Sequence, residues 1–303
     1  MKFVIVGAGL SGLSAARVLK ADGHNVTLYD KGRAVGGRCA TRKSAYGPID
    51  HGLQGLDGSD PRLLAVLETL GLKMATLSWP IGANRPIRKE GPILVPSGGA
   101  NAFAAAMAEG LDVLTSTAVT AAQPSEDGWT ISLNSGNTIS ADGLVFAVPP
   151  AQAAAFGIDT ADVSFQSATY QMDVAALCAD ETPLKLPETG PADGNGLGWI
   201  SRSEDGKRAV IFADAKRAEA LIDTEKDVIA AQLWAAITDA PPPAYLRGHR
   251  WRYSRVATPI GRPCSYDADR KLGFCGDWFL GPNAGDAIES GQALGDIITD
   301  ALP

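Results

Sequence analysis

The 303-residue chain predicts an α/β fold with an α+β insertion. A parallel-sheet domain is assembled from both ends of the chain, and a domain of mixed sheet and helix is inserted in it. Three observations carry this expectation. Residues 2–30 read as a β-α-β unit. A glycine-rich turn, Gly7 to Gly12, joins its first strand to its helix. A second strand and a long helix follow between Leu272 and Ala301. At about 150 residues per domain, the length also suggests two domains.

Lys2–Val6 is short, apolar and β-branched, the pattern of a buried strand. Leu10–Ala21 carries Leu13, Ala16, Val18 and Leu19 at helical spacing, and Gly23 ends it. Asn25–Tyr29 is the second strand and closes on Asp30. Residues 60–70 predict a helix with Asp60 as N-cap and Pro61 at its first position. Residues 97–109 predict an alanine-rich helix closed by Gly110. Short strands follow, with hairpin signals at Asp127-Gly128 and Ser135-Gly136, and the apolar run 144–148 stops at Pro149 and Pro150. Residues 187–198 read as a loop, 225–237 as a helix and 272–276 as a buried strand; Ala284–Ala301 reads as a final helix. The parallel-sheet domain is assigned residues 1–55, 91–150 and 265–303, and the inserted domain residues 56–90 and 151–264.

A hydrophobic fraction of 45% with 20% charged residues is that of a globular chain, which argues against disorder. With 27 basic against 34 acidic residues the net charge is -7, so nucleic acid and anionic membranes are not expected partners. The basic residues nevertheless cluster. Lys31, Arg33, Arg38, Arg42 and Lys43 lie in a stretch with no acid before Asp50. Arg247, Arg250, Arg252, Arg255 and Arg262 lie in another, between Asp239 and Asp267. Such segments suit either the local handling of a small anion or two solvated faces. Cys39, Cys178, Cys264 and Cys275 form no C-x-x-C pair and no metal spacing with the three histidines. No metal is expected, and a reducing cytoplasm is. No run reaches the ~18 apolar residues of a membrane span, and the glycines that interrupt residues 1–19 argue against a targeting segment.

Gly7-x-Gly9-x-x-Gly12 follows a strand and opens a helix, the setting of a Rossmann dinucleotide turn. Gly7 permits the tight turn, Gly9 with Ser11 beside it lets backbone approach a pyrophosphate, and Gly12 lets the helix pack on the sheet. The helix start offers free N–H groups and positive potential to phosphates. Asp30 is placed to accept hydrogen bonds from a ribose diol, with Lys31 next to it. Gly36-Gly37-Arg38 extend the frame with close backbone approach and a second positive group. With Ala16, Leu19, Gly23, Val26 and Thr41, this run resembles the FAD-binding start of the glutathione-reductase-like flavoproteins, in their amine-oxidase branch. The resemblance implies a Rossmann FAD-binding domain. It also implies that Asp277, after Phe274-Cys275-Gly276, meets the ribityl-phosphate end of the cofactor. The last helix, beginning at Ala284 and Gly285, would point at the isoalloxazine, and Val119 would lie in the strand whose backbone holds the adenine. Cys275 does not match the cysteine motif of covalent amine oxidases, so FAD is expected to be non-covalent.

Further segments resemble renalase and its bacterial relatives: Asp50-His51-Gly52-Leu53-Gln54, residues 144–153, His249-Arg250-Trp251-Arg252-Tyr253, and residues 276–281 with Ala287 and Ser290-Gly291. That resemblance implies oxidation of misplaced-hydride isomers of NAD(P)H, with hydride passing to flavin N5 and electrons to O2 to give H2O2. Gly52 is then a cofactor-loop residue, and Gln54, His249, Trp251 and Tyr253 are pocket candidates. His51 reads equally as a base or a cofactor-loop partner, and no catalytic base is assigned. Three departures from the family pattern, Gly55, Gly285 and the Ser203–Gly206 stretch, are expected to line the pocket. The competing readings are an amine oxidase or desaturase of the same fold, and a non-catalytic FAD-binding protein. No second strand–glycine–helix unit is present, so O2 or a diffusible acceptor is expected to reoxidise the flavin.

Overall fold

The computed structural model describes residues 1–77, 92–158, 164–192 and 194–302. The boundary drawn at residues 90 and 91 lies outside them. The chain opens with β1 (Lys2–Val6), α1 (Leu10–Ala21) and β2 (Asn25–Tyr29). A hairpin of β3 (Thr41–Ser44) and β4 (Gly47–Asp50) follows, then β5 (Leu56–Asp57), α2 (Pro61–Leu70), β6 (Met74–Leu77), β7 (Ile93–Pro96) and α3 (Ala100–Ala108). Next come β8 (Asp112–Leu114), β9 (Val119–Ser125), β10 (Gly128–Leu133), β11 (Thr138–Ala141), β12 (Gly143–Phe146) and α4 (Pro150–Ala154). The middle of the chain supplies β13 (Thr169–Ala179), β14 (Gly190–Pro191), β15 (Leu197–Arg202), β16 (Arg208–Ala213), α5 (Ala215–Leu221), α6 (Lys226–Ala235) and β17 (Tyr245–Thr258). It closes with β18 (Ser265–Asp267), β19 (Leu272–Phe274), α7 (Asp277–Leu280) and α8 (Ala284–Ala301).

The first and last elements share a six-stranded sheet of order β18-β19-β12-β1-β2-β8, parallel except for the edge strand β18. β1 is central, and both of its faces are buried, which is why it reads as a continuous apolar run. Phe3 and Ile5 face α1, α3 and α8, while Val4 and Val6 face the three-stranded sheet β11-β10-β9. The chain turns out of β1 where the strand order reverses, with β2 on one side and β12 on the other. In an open α/β sheet this is where a ligand crevice forms.

A five-stranded antiparallel sheet, β14-β15-β16-β13-β17, uses residues from the middle of the chain. Its strand residues point alternately to two cores. Val174, Ala176 and Ile211 meet Ile229, Leu233 and Trp234 of α6, while Ala175, Leu177 and Phe212 meet Ile49 of the β3–β4 hairpin. The expected helix 97–109 begins only at Ala100, because Gly98 and Gly99 both hold positive φ. Its start is capped from a distance: Asp50 Oδ1 accepts from Ala100 N at 3.0 Å, and Thr41 Oγ1 from Asn101 N at 3.0 Å. The expected loop 187–198 carries the short strand β14, held only by its pairing with β15.

The two ends of the chain are packed against each other through α1 and α8. At Gly291 a Cβ would overlap the Ser11 carbonyl, so only glycine lets the helices approach so closely. No described helix is long and apolar enough to cross a membrane.

Candidate cofactor cleft

Gly7, φ 106°, turns the chain sharply out of β1, and its N–H donates to Tyr29 O at 2.8 Å. At Gly12 a Cβ would overlap the Gly7 carbonyl, so the first turn of α1 is seated directly on the loop. A Cβ at Gly9, by contrast, would meet nothing within 4 Å. The α1 start has no side-chain cap, which leaves its N–H groups for a ligand. These residues form one end of a cleft of about 750 Å³.

Residues from both ends of the chain line that cleft. Gly7, Gly9, Ser11, Asp30, Lys31, Gly36, Gly37, Arg38, Gly52 and Gln54 do so from the first part, with Val119. Gly276, Asp277, Ala284 and Gly285 do so from the last. Gly12 lies beneath the loop and is not part of the lining. Trp251 and Tyr253 line it from β17, together with Arg252, Ser254 and Arg255.

Several side chains have partners that sequence did not reveal. Asp30 holds its own loop: Oδ2 accepts from Ala8 N at 2.8 Å and Oδ1 from Gly32 N at 2.6 Å. Lys31 Nζ reaches Gln152 Oε1 of α4 at 2.8 Å. Gln54 Nε2 donates to Asp50 O at 2.7 Å. Arg38, expected as a second positive group for the diphosphate, is paired with Asp277 through two bonds of 2.5 and 2.8 Å. Its Nη1 also donates to Ser254 O at 3.2 Å. Burial works against the Arg38 charge, but the Asp277 carboxylate and the Tyr170 hydroxyl outweigh it, and the pKa rises. Tyr170, which sequence did not single out, donates to Asp277 Oδ1 at 2.7 Å and meets the Tyr253 ring edge-on at 5.7 Å.

β17 divides the pocket candidates His249, Trp251 and Tyr253. Trp251 pairs with Asp173 but Arg255 with Gln171, so the register slips between them. This bulge breaks the alternation, and five consecutive residues, 251–255, reach the cleft. His249 does not. It packs behind Trp251, ring centroids 4.4 Å apart, and against His51 at 4.5 Å. His51 is also off the cleft; burial pushes its pKa down to about 4, so it is neutral at pH 7.

The three departures fall out differently. Gly55 and Gly285 line the cleft. The Ser203–Gly206 stretch does not; it forms the β15–β16 turn, where Ser203 Oγ donates to Asp205 Oδ1 at 2.6 Å. At Gly285 a Cβ would overlap the Asp60 carboxylate. Asp60, read in sequence only as a cap, therefore brings a carboxylate to the start of α8. Arg62 fixes it there, with Nη2 on Asp60 Oδ2 at 2.7 Å and Nη1 on Asp286 Oδ1 at 3.0 Å. The Arg62 hydrogen bonds hold the Asp60 carboxyl below the usual carboxylate range, so it is ionised at pH 7.

Two family models match this chain. One for an NAD(P)-binding Rossmann-like domain covers residues 5–70, and one for flavin containing amine oxidoreductases covers residues 84–293. The chain belongs to the flavin containing amine oxidoreductase family. Among curated relatives, the L-amino-acid oxidase of Echis ocellatus is 55% identical over 42 residues, 14% of this chain and 8% of its own length. Protoporphyrinogen oxidase 2 of Arabidopsis thaliana is 31% identical over 98 residues, 32% of this chain and 19% of its own. The aligned segments thus span less than a fifth of these relatives. A solved structure of wild-type putrescine oxidase bound to putrescine matches with a TM-score of 0.72 at 16% identity, over 98% of this chain and 99% of that one. At that identity the likeness is one of fold.

The family is one of flavin containing oxidoreductases, and the cleft fits a flavin cofactor such as FAD. The uncapped helix start and the open face of Gly9 suit phosphates, while the apolar walls at Leu10, Leu53, Phe156 and Phe212 suit a flat ring system. Cys275 is fully buried and does not line the cleft, and burial pushes its thiol up to about 12. It is kept protonated and out of reach. Among the described residues no histidine lines the cleft.

Proposed function

We propose that the protein oxidises a small anionic hydride donor of the dihydro-NAD(P) isomer class and passes the electrons to O2, giving H2O2. The single observation that carries the cofactor part of this reading is the continuity of the cleft, lined at once by Gly7–Ser11 and by Gly276–Gly285. Gly7, Gly9, Ser11, Gly36, Gly37 and Gly52 would hold the diphosphate, with Gly12 seating the helix behind them. Asp30, Lys31 and Val119 would hold the adenosine end, and Gly276, Asp277, Ala284 and Gly285 the flavin end. Arg38 acts through Asp277, which it orients. Bound FAD supplies the two-electron acceptor. The inserted domain, drawn from residues 56–90 and 151–264, would cover the reacting ring.

The residues over the cleft suit binding and orientation rather than proton transfer. Trp251 and Tyr253 offer flat faces to a planar donor, and Arg252 and Arg255 beside them are paired with Asp223 at 2.6 Å and Asp173 at 3.5 Å. Hydride transfer demands apposition within ~3.5 Å and alignment, which packing supplies without a base. That agrees with a cleft whose described lining has no histidine and whose one lining thiol, Cys39, burial pushes up to about 12.

A second reading, an amine substrate, is favoured by the family match and by the edge-on Tyr170–Tyr253 pair, an apolar surface that attracts cations. Anaerobic mixing with 2- and 6-dihydro-NAD(P) and with a panel of amines, followed by flavin bleaching, separates the two. Bleaching by the dihydropyridines supports the first reading; rapid bleaching by amines alone reverses it. Colourless protein that neither takes up FAD nor melts higher with it overturns both.

A further inference from the structure

Among the described residues, the five-stranded sheet presents a single carboxylate to the cleft, that of Asp173 on β13. The residue is buried, 4% exposed. It stands two positions before Ala175, hence on the same face of the strand, and Phe212 of that face lines the cleft with it. Asp173 pairs with Trp251 at the edge of the β17 bulge. Beyond the bulge, two successive residues reach back to it. Ser254 Oγ donates to Asp173 Oδ2 at 2.5 Å, and Arg255 Nε lies 3.5 Å from the same oxygen. All three residues line the cleft.

Backbone contacts fix which end of the cleft this group serves. The Ser254 carbonyl accepts from Arg38 Nη1 at 3.2 Å, and Arg38 is bonded to Asp277. The group is therefore tied to the Gly276–Gly285 end and not to the end at Asp30 and Lys31. Its charges cancel. An ammonium ligand would take Asp173 from Arg255, and a carboxylate ligand would take Arg255 from Asp173. Either leaves one member of a half-buried ion pair without its counter-charge, which is costly. An uncharged group with donor and acceptor side by side costs no such loss. A primary carboxamide is that group: its NH2 donates and its C=O accepts. The Arg255 side chain is 26% exposed, so its guanidinium is open to such a contact, and its Nε has no hydrogen-bond acceptor among the described residues.

We propose that Asp173 and Arg255 are specificity-determining residues that hold the carboxamide of a nicotinamide-type ring, its N–H on Asp173 and its C=O on Arg255. Ser254 positions Asp173 by its hydroxyl and the whole group by its carbonyl. Trp251 and Tyr253 line the cleft beside the pair and supply the flat walls for the ring. The pyridine ring rests on the dihydro-NAD(P) reading above, whereas the preference for a neutral amide rests on the ion pair itself.

The test titrates the FAD-loaded protein at pH 7 with nicotinamide, its methyl ketone analogue and nicotinate, read by flavin difference spectra and calorimetry. Nicotinamide should bind about tenfold or more tighter than the ketone, which lacks the N–H that meets a charged acceptor. It should exceed nicotinate by a similar factor. Equal binding of the three, or binding of none, overturns the pair and requires no variant. Asp173→Asn keeps the shape and removes the charge. Nicotinamide should then weaken and nicotinate tighten, moving their ratio by about tenfold or more. A uniform loss for all three probes would mark a merely structural role and overturn the proposal. Bleaching by dihydro-NAD(P) separates the two readings. If nicotinamide is preferred but no dihydropyridine bleaches the flavin, the pair stands and the hydride-donor reading falls. If dihydropyridines bleach it but the probes are not distinguished, the reading stands and the pair falls.

Discussion

Asp277 concentrates three hydrogen bonds on one buried carboxylate, two from Arg38 and one from Tyr170. Its removal takes the carboxylate from Arg38 and leaves it the Ser254 carbonyl, whereas loss of the Tyr170 hydroxyl leaves the ion pair intact. The Arg38 side chain is 34% exposed, so water takes up part of the released charge. Asp277→Ala should therefore cost about 1–3 kcal/mol, below the range for a fully buried pair. Tyr170→Phe should cost about 1 kcal/mol, one hydrogen bond to an already satisfied acceptor. Urea melts check both, and a larger loss for Tyr170→Phe would contradict this account. Arg38 and Asp277 were each marked in sequence as candidate cofactor residues, and both line the cleft. Their pairing was not legible there, because 239 residues separate them and no local pattern encodes it. Tyr170 carried no signal at all, being one aromatic in a strand, and Asp60 was legible only in its local role as a cap.

Elements whose signals are local were read correctly, and those held by tertiary contact were not. Leu10–Ala21 and Ala284–Ala301 declare themselves by periodicity and end where breakers or changes of pattern stop them. β14 has two residues and exists only through β15, and the β17 bulge depends on how β13 lies beside it. The contact of α8 with α1 is likewise invisible until the helices are assembled. Gly291→Val forces side-chain atoms toward the Ser11 carbonyl and should cost about 1–3 kcal/mol by overpacking. Because Ser11 and Gly285 both line the cleft, the same substitution should weaken FAD retention, read as faster loss of yellow colour on dialysis. Asp60→Ala removes the α2 cap, in which Oδ1 accepts from Arg62 N at 3.0 Å, and should cost about 0.5–2 kcal/mol. Its contribution is fully present above the ordinary carboxylate pKa and is lost as pH falls through the lower folded value, since the Arg62 bonds favour the ionised form.

At the scale of the whole molecule, the cleft lies among elements far apart in sequence, so a ligand there stabilises the assembled chain and not the unfolded one. FAD at a hundredfold excess over its Kd should add about 2.7 kcal/mol, measured as a higher melting point than that of the stripped protein. Acid acts in the opposite direction through the His51–His249 pair. Burial pushes their folded pKa values down to about 4 and about 3, against 6.5 in a model peptide. Between pH 6.5 and 4 the unfolded chain therefore binds protons that the folded one refuses, and stability falls as the pH falls. Above pH 6.5 both states hold neutral imidazoles, and the stabilisation is complete. From pH 7.5 to 5.0 the pair should withdraw about 2–4 kcal/mol, discounted for the partial exposure of His249. His249→Phe keeps a ring against Trp251 and removes one of the two titrating groups. Its loss of stability over that interval should be about half that of the unaltered protein. Equal losses, measured by urea melts at the two pH values, would place the acid sensitivity elsewhere in the molecule.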